Sequence, residues 1–200
     1  MQINTAQMEE ICAHISQTIN LKKSDALLDV CCGNGLISSE LAKKCKSVVA
    51  VDFSETLIKA AKKSHQQNNI EYFIEDALTL SKSVDKKCDK IVLYFSFQYF
   101  NFNEGTKVIG ELKKRLKPGG VIFIGDVPNS SCFWSYYNTL AKRLFYFKQW
   151  LFKQPKMGKF WSEKEILTIA KKNGLKAEMH PQPKHLPHAH YRFDVIFTED

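Results

Sequence analysis

"LLDVCCGNGLIS", residues 27–38, is the stretch on which the fold reading turns. A short apolar run carries one acid, Asp29, then two adjacent cysteines and two closely spaced glycines, and helix-forming positions follow. A buried strand running through a glycine turn into a helix start makes a site for a polar ligand. The first backbone N–H groups of the helix face the turn, and glycine lets a ligand approach the main chain.

The neighbouring segments repeat the strand–helix alternation. Upstream, residues 5–20 place Met8, Ile11, Cys12, Ile15 and Ile19 at helical spacing. "ALLDVCC" (26–32) reads as the first strand, "GLISSELAKKC" (35–45) as a helix and "SVVAVDF" (47–53) as the second strand. "SETLIKAAKKSHQQ" (54–67) is a helix capped by Ser54. "IEYFIED" (70–76) and "CDKIVLYFSF" (88–97) are the third and fourth strands. "TKVIGELKKRLKPGG" (106–120) is a helix closed by a Pro-Gly turn, and "VIFIGDV" (121–127) is the fifth strand. Residues 128–160 are aromatic and basic, without a clear strand. "SEKEILTIAKKNGL" (162–175) is a helix with Ser162 and Glu165 as a capping box and Gly174 as its stop. "KAEMHPQ" (176–182) and "YRFDVIFTED" (191–200) close the chain as an antiparallel pair. The expectation is an α/β, Rossmann-like, doubly wound sheet of seven mostly parallel strands with an antiparallel last strand. It carries a helical insert after strand 5, at about 128–160, within one domain spanning 1–200.

Bulk properties narrow the function classes. The chain has 200 residues, 44% of them hydrophobic, enough for a core without staples. Six cysteines lie at 12, 31, 32, 45, 88 and 132, and no two have the spacing of a zinc or thioredoxin-like site. No metal is expected, and Cys31 and Cys32 read as small residues in a turn. The net charge of +8 permits an anionic partner, but the lysine pairs fall where helix surfaces should be. "MQINTAQMEE" has no basic region followed by an apolar run, so no signal peptide is expected and the cytoplasm is the expected address. Nothing in the sequence fixes an oligomeric state.

Asp52 ends the second strand, where a carboxylate can accept hydrogen bonds from ribose hydroxyls. Gly33-Asn34-Gly35-Leu36-Ile37-Ser38 lacks the third glycine of a dinucleotide fingerprint, and Asp29 would repel a pyrophosphate. The same acid could hold a cationic group, which suits a cofactor with an amine and a sulfonium.

With those residues in place, the sequence resembles the class I S-adenosylmethionine-dependent methyltransferases. "DVCCGNG" matches their first motif through Asp29, Gly33 and Gly35, with Cys31 where a glycine is usual. The resemblance implies S-adenosylmethionine (SAM) as cofactor and S-adenosylhomocysteine as product. Asn34 belongs to the loop around the amino-acid end. "VVAVDFSETLIKAAKK" supplies Asp52 for the ribose, followed by Phe53 and Ser54. "IEYFIEDAL" supplies Asp76 and the N–H of Ala77 for the adenine, and "CDKIVLYFSFQYF" supplies Tyr94, Phe95 and Tyr99 beside the methionine part. "GDVPN", the insert and the "YRFDV" ending look like methyltransferases of bacterial surface-polysaccharide and glycolipid pathways.

The expected reaction is therefore methyl transfer to a hydroxyl of a small molecule, sugar or glycolipid. An RNA methyltransferase using the basic surface is the alternative. It is disfavoured, because "YFSF" stands where amino-methylating nucleic-acid enzymes carry N/D-P-P-Y/F. Candidate bases are His188, His190 and Asp126. Arg192 could pair with Asp194 or face an anionic acceptor. In the insert, Tyr137, Leu140, Leu144, Phe147 and Leu151 fall on one helical stripe, and Trp134, Tyr136, Phe145, Tyr146, Trp150 and Phe152 lie off it. The insert is expected to cover the acceptor pocket, or to contact a membrane surface through its aromatics with Lys142, Arg143, Lys148 and Lys153.

Overall fold

The computed structural model describes residues 5–81, 84–151 and 158–199. In chain order it runs α1 (Thr5–Thr18), β1 (Ala26–Val30), α2 (Leu36–Ala42), β2 (Ser47–Asp52), α3 (Glu55–Ser64), β3 (Ile70–Ile74), β4 (Cys88–Tyr94), α4 (Phe102–Lys113) and β5 (Leu116–Pro128). Then come α5 (Phe133–Tyr136), α6 (Leu140–Leu151), α7 (Glu163–Lys172), β6 (Lys176–Pro181) and β7 (Arg192–Thr198). The described strands form one seven-stranded sheet in the order β3-β2-β1-β4-β5-β7-β6. The first five strands are parallel; β7 runs antiparallel between β5 and β6.

The strands are apolar on both sides because helices cover both faces. Leu28, Val30, Ile91, Leu93, Ile122 and Ile124 face α4 and α7, through Val108, Ile109, Leu112, Ile166 and Ile169. Leu27, Val48, Ala50, Val92 and Phe123 face α1, α2 and α3, through Ile11, Ile15, Ile19, Leu41 and Ile58. Strand order reverses between β1 and β4, which opens a crevice at the carboxyl edge of the sheet.

Local chemistry explains most boundaries. The Ser54 side chain accepts the Leu57 N–H, and Ser162 and Glu165 form the expected capping box. Helix α4 starts four residues before the expected Thr106. Asn101 and Glu104 make a second capping box there, so the helix nucleates at Phe102. Strands β1 and β4 end earlier than expected because Cys31 (φ 59°) and Phe95 (φ 61°) are left-handed. Asp126 (φ 61°) sits in a bulge that shifts the β5–β7 register between Ile124 and Val127. Three non-glycine residues in that strained region thus mark the carboxyl ends of β1, β4 and β5.

The insert contains α5 and α6. Tyr137 is not on α6 but in the link before it, buried and stacked on Phe133 (4.9 Å) and Tyr146 (4.9 Å). Tyr136 stacks on Tyr191 (4.8 Å), tying the insert to the start of β7. The returning chain is anchored too: the Trp161 ring N–H donates to Phe97 O (3.2 Å) and the Lys159 N–H to Gln98 O (2.7 Å). Leu140, Leu144 and Phe147 do share a stripe, but it faces outward. Phe152 and Lys153, and the side chains of Trp150 and Leu151, lie outside the described residues. Among the described residues no helix is long and apolar enough to cross a membrane.

Candidate cofactor and acceptor site

The glycine loop between β1 and α2 borders a cavity of 530 Å³ at the carboxyl edge. Gly35 (φ 80°) caps α2; a Cβ there would lie 2.5 Å from the Tyr72 hydroxyl oxygen and 2.9 Å from the Ala61 Cβ. Gly33 (φ 58°) has the opposite surroundings, with nothing within 4 Å of where a Cβ would stand. One glycine therefore serves close packing, and the other leaves backbone bare beside the cavity.

Asp52 ties the loop to the next helix. Its Oδ2 accepts the Gly33 N–H (2.9 Å) and its Oδ1 the Ser54 N–H (2.9 Å). Cys31, Gly33, Asp52 and Phe53 form one wall, with Asp76 and Ala77 beyond them. Asp76 Oδ1 accepts the Leu78 N–H (2.9 Å), which fixes the turn after β3. Ser96, Tyr99 and Glu104 close the side under β4. Four carboxylates (Asp52, Glu75, Asp76 and Glu104) line this cavity, and none of its described lining residues is cationic. An anionic pyrophosphate would be repelled there, whereas hydroxyls and a positively charged group would be welcomed.

Several expected residues stand elsewhere. Asp29 lies buried beneath the loop, where the Ser38 hydroxyl donates to it (2.5 Å), and does not line the cavity. Gly35 and Ser54 are likewise set back, holding the loop and its helices, and Asn34, exposed at the loop tip, does not line the cavity either. Tyr94 is buried against the α1 side of the sheet; burial pushes its phenol up, and the Asp126 and Asp194 carboxylates add to that. Phe95 lies under the Arg192 guanidinium, 5.0 Å from ring centre to Cζ. Burial pushes the Cys31 thiol up to about 12, with Asp52, Asp29 and Asp76 adding to it, so it stays protonated. All six cysteines are free.

Burial also pushes Asp29 up to about 7, against the Ser38 hydrogen bond and helped by the Asp52 charge. A carboxyl raised above its unfolded value of about 3.9 stabilises the fold fully only below that value. This contribution is lost as pH rises from about 4 through about 7. Asp29→Asn should therefore flatten the decline of melting temperature over that window, read by calorimetry at steps of pH. An unchanged slope would contradict the assignment.

Beyond Ser96 lies a buried polar network. Arg192 pairs with Asp126 Oδ2 (3.0 Å), not with Asp194, and donates to Gln98 Oε1 (2.7 Å) and Asp126 O (2.5 Å). Asp194 Oδ1 accepts the Asp126 N–H and the Gln182 amide (both 2.9 Å), and its Oδ2 accepts from His14 Nε2 (2.6 Å). Burial pushes Asp126 up to about 7, with Arg192 opposing and Asp194 adding. Asp126 Oδ2 has its ion-pair contact but no aligned hydrogen bond among the described residues.

His188 and His190 are not extended side by side. His188, left-handed (φ 68°), caps a single 3-10 turn (Ala189–Tyr191) that contains His190, and both rings pack edge-on to Tyr191. Burial pushes His188 down, with Arg192 and His190 adding. His190 lines a separate 540 Å³ cavity beside the start of α7. Neither histidine lines the carboxylate-rich cavity.

The reading by motif did not single out Glu75, Ser96, Glu104, His14, Gln98 or Gln182. The N-x-x-E pattern at Asn101–Glu104 could have placed Glu104. His14 stood as a polar residue between the buried Ile11 and Ile15 of α1. Gln98 and Gln182 carried no local signal.

An open α/β sheet of this order, with an acid-lined cleft over a bare glycine loop at its switch point, defines a nucleoside-type cofactor domain. Residues 27–120 match the family described as "Methyltransferase domain", which supports the class I SAM-dependent methyltransferase reading. Among similar proteins is the ubiquinone biosynthesis O-methyltransferase of Pasteurella multocida (strain Pm70), 28% identical over 134 residues, 62% of this chain and 54% of that protein. Another is the demethylmenaquinone methyltransferase of Leptospira interrogans (serovar copenhageni), 32% identical over 117 residues, 54% of this chain and 46% of that protein. The chain spans about half the length of these curated relatives. The fold is shared with the SAH-bound magnesium protoporphyrin IX methyltransferase of Synechocystis PCC 6803, at TM-score 0.71 and 17% identity, covering 100% of this chain and 89% of that one.

Proposed function

We propose that the protein transfers the methyl group of SAM to a hydroxyl of a small-molecule acceptor, a sugar or glycolipid included, in the cytoplasm and within one domain spanning 1–200. The observation that carries this reading is the carboxylate-lined cavity, with no cation among its described lining residues, beside the bare Gly33 backbone. The quinone-pathway names of the two curated relatives support a small-molecule acceptor. A peripheral membrane contact through the insert belongs to the same reading.

The residues present fit the cofactor. Asp52 would hold the ribose, Asp76 and Ala77 the adenine, and the loop from Cys31 to Gly35 the amino-acid end. Bound SAM supplies an activated methyl group on a sulfonium. The chain's own task is alignment and exclusion of water, and positioning of this kind can supply roughly 7–11 kcal/mol. Tyr99 shields the β4 side. Asp126 takes the role of base: it sits in the β5 bulge next to Gly125, whose O accepts the Phe95 N–H (3.1 Å). Its carboxyl, raised to about 7, can take up a proton near neutral pH.

Labelled-SAM turnover against polysaccharide precursors, lipids and RNA, with mass spectrometry of the product, tests the reaction. Label confined to RNA would reject it. Asp126→Asn should lower turnover by about 10²–10⁴-fold and leave SAM affinity intact. Unchanged turnover in that variant would pass the role to His188 or His190, tested by alanine at each.

A further inference from the structure

The insert presents an apolar stripe to solvent. Leu140, Leu144 and Phe147 stand one and two turns apart on α6, 74%, 61% and 59% exposed. Trp134 (61% exposed) is held beside this helix, with the Arg143 guanidinium 5.5 Å over its ring. The inner side of the insert is occupied: Tyr146 packs on Phe133 (5.0 Å) and Tyr137 (4.9 Å). The outward stripe is thus additional to the residues that fasten the insert to the body.

Charge identifies what this face meets. Between Asp126 and Glu163 the sequence has no acidic residue and six basic ones: Lys142, Arg143, Lys148, Lys153, Lys156 and Lys159. Arg143 and Lys148 flank the stripe on either side of the helix. Apolar side chains at i, i+4 and i+7 with cations at their borders suit a helix lying in a bilayer interface. The chains enter the headgroup boundary while the cations meet lipid phosphates.

We infer that the outer face of α6, with Trp134, docks on an anionic lipid surface. This deepens the membrane contact proposed above and rests on that reading of the insert. Docking would also bear on the acceptor side, because the insert reaches it through the Tyr136–Tyr191 stack next to Arg192.

The test is flotation of the full chain with vesicles of phosphatidylcholine alone, and of phosphatidylcholine with phosphatidylglycerol at about 3:1. We expect binding to the mixed vesicles, little to the neutral ones, and release by high salt. Leu140→Glu with Leu144→Glu should reduce partitioning at least tenfold, and Lys148→Glu should reduce it severalfold. Melting temperature and calorimetric SAM affinity should stay unchanged in both variants, since no altered residue lines the cofactor cavity. No flotation, or flotation indifferent to lipid charge, would overturn the inference. So would a stripe variant that turns a dimer into a monomer without changing flotation, which would make the face an interface between copies. Loss of SAM binding in the unaltered chain, with flotation retained, would instead count against the methyl-transfer reading.

Discussion

Asp52→Ala should weaken SAM binding by about 10²-fold or more, from the loss of hydrogen bonds to a charged acceptor worth about 1.5–3 kcal/mol each. The carboxylate has two tasks at once. It holds the loop by accepting the Gly33 and Ser54 N–H groups, and it faces the cavity where ribose hydroxyls would sit. Alanine removes both. Asparagine should recover little, because each carboxylate oxygen already faces an N–H donor and an amide NH2 in either place would meet one of them. Calorimetric titration with SAM reads the effect, and the melting temperature of the unliganded variant reports whether the fold survives. A folded Asp52→Ala protein with wild-type affinity would remove the cofactor assignment from this cavity.

The legibility of this site in the sequence follows the range of its interactions. Gly33, Gly35, Asp52 and Ser54 act on neighbours within the consecutive run from β1 to β3, so their spacing makes the loop legible. The sheet was legible for a related reason, since strands covered on both faces must read as apolar runs between helices. Apolar periodicity alone starts α4 at Thr106, whereas the Asn101–Glu104 capping box starts it at Phe102. The acceptor side was much less readable. Arg192, Asp126, Gln98, Asp194, Gln182 and His14 meet from α1, β5, the turn after β4, and the segments around β6 and β7. Only the tertiary fold brings them together. The sequence offers Arg192 either Asp194 or an acceptor, and the bulge at Asp126 gives it Asp126 instead. A one-residue irregularity of that kind changes which side chains share a face, and no local pattern encodes it. Of the expected insert stripe, Leu140, Leu144 and Phe147 share one face of α6, whereas Tyr137 stands before the helix. Helical periodicity says that side chains share a face without saying what that face meets.

Arg192→Met should be the most destabilising of these changes. The guanidinium is buried between the rings of Phe95 and Tyr191, 5.0 Å from each, and is paired with a carboxylate that is itself buried. Methionine keeps much of the length and apolar contact but leaves Asp126 without its counter-charge. Removing one partner of a buried pair costs about 3–5 kcal/mol. For a chain of this size that corresponds to a fall of about 6–20 °C in melting temperature. The deficit should depend on pH with a definite sign. The Asp126 carboxyl is already pushed up to about 7, and Arg192 is the group opposing that rise. Without the arginine the folded value climbs further above the unfolded value of about 3.9, so stability is lost more steeply as pH rises. The variant should therefore lie nearest the wild type at about pH 5 and farthest from it at about pH 9. Adding Asp126→Asn to Arg192→Met removes the stranded charge, so the double variant should recover part of the loss at about pH 9 and little at about pH 5. Deficits equal at the two pH values, or a double variant no more stable than the sum of the single losses, would show that the pair is not what holds β5, β7 and the turn after β4 together.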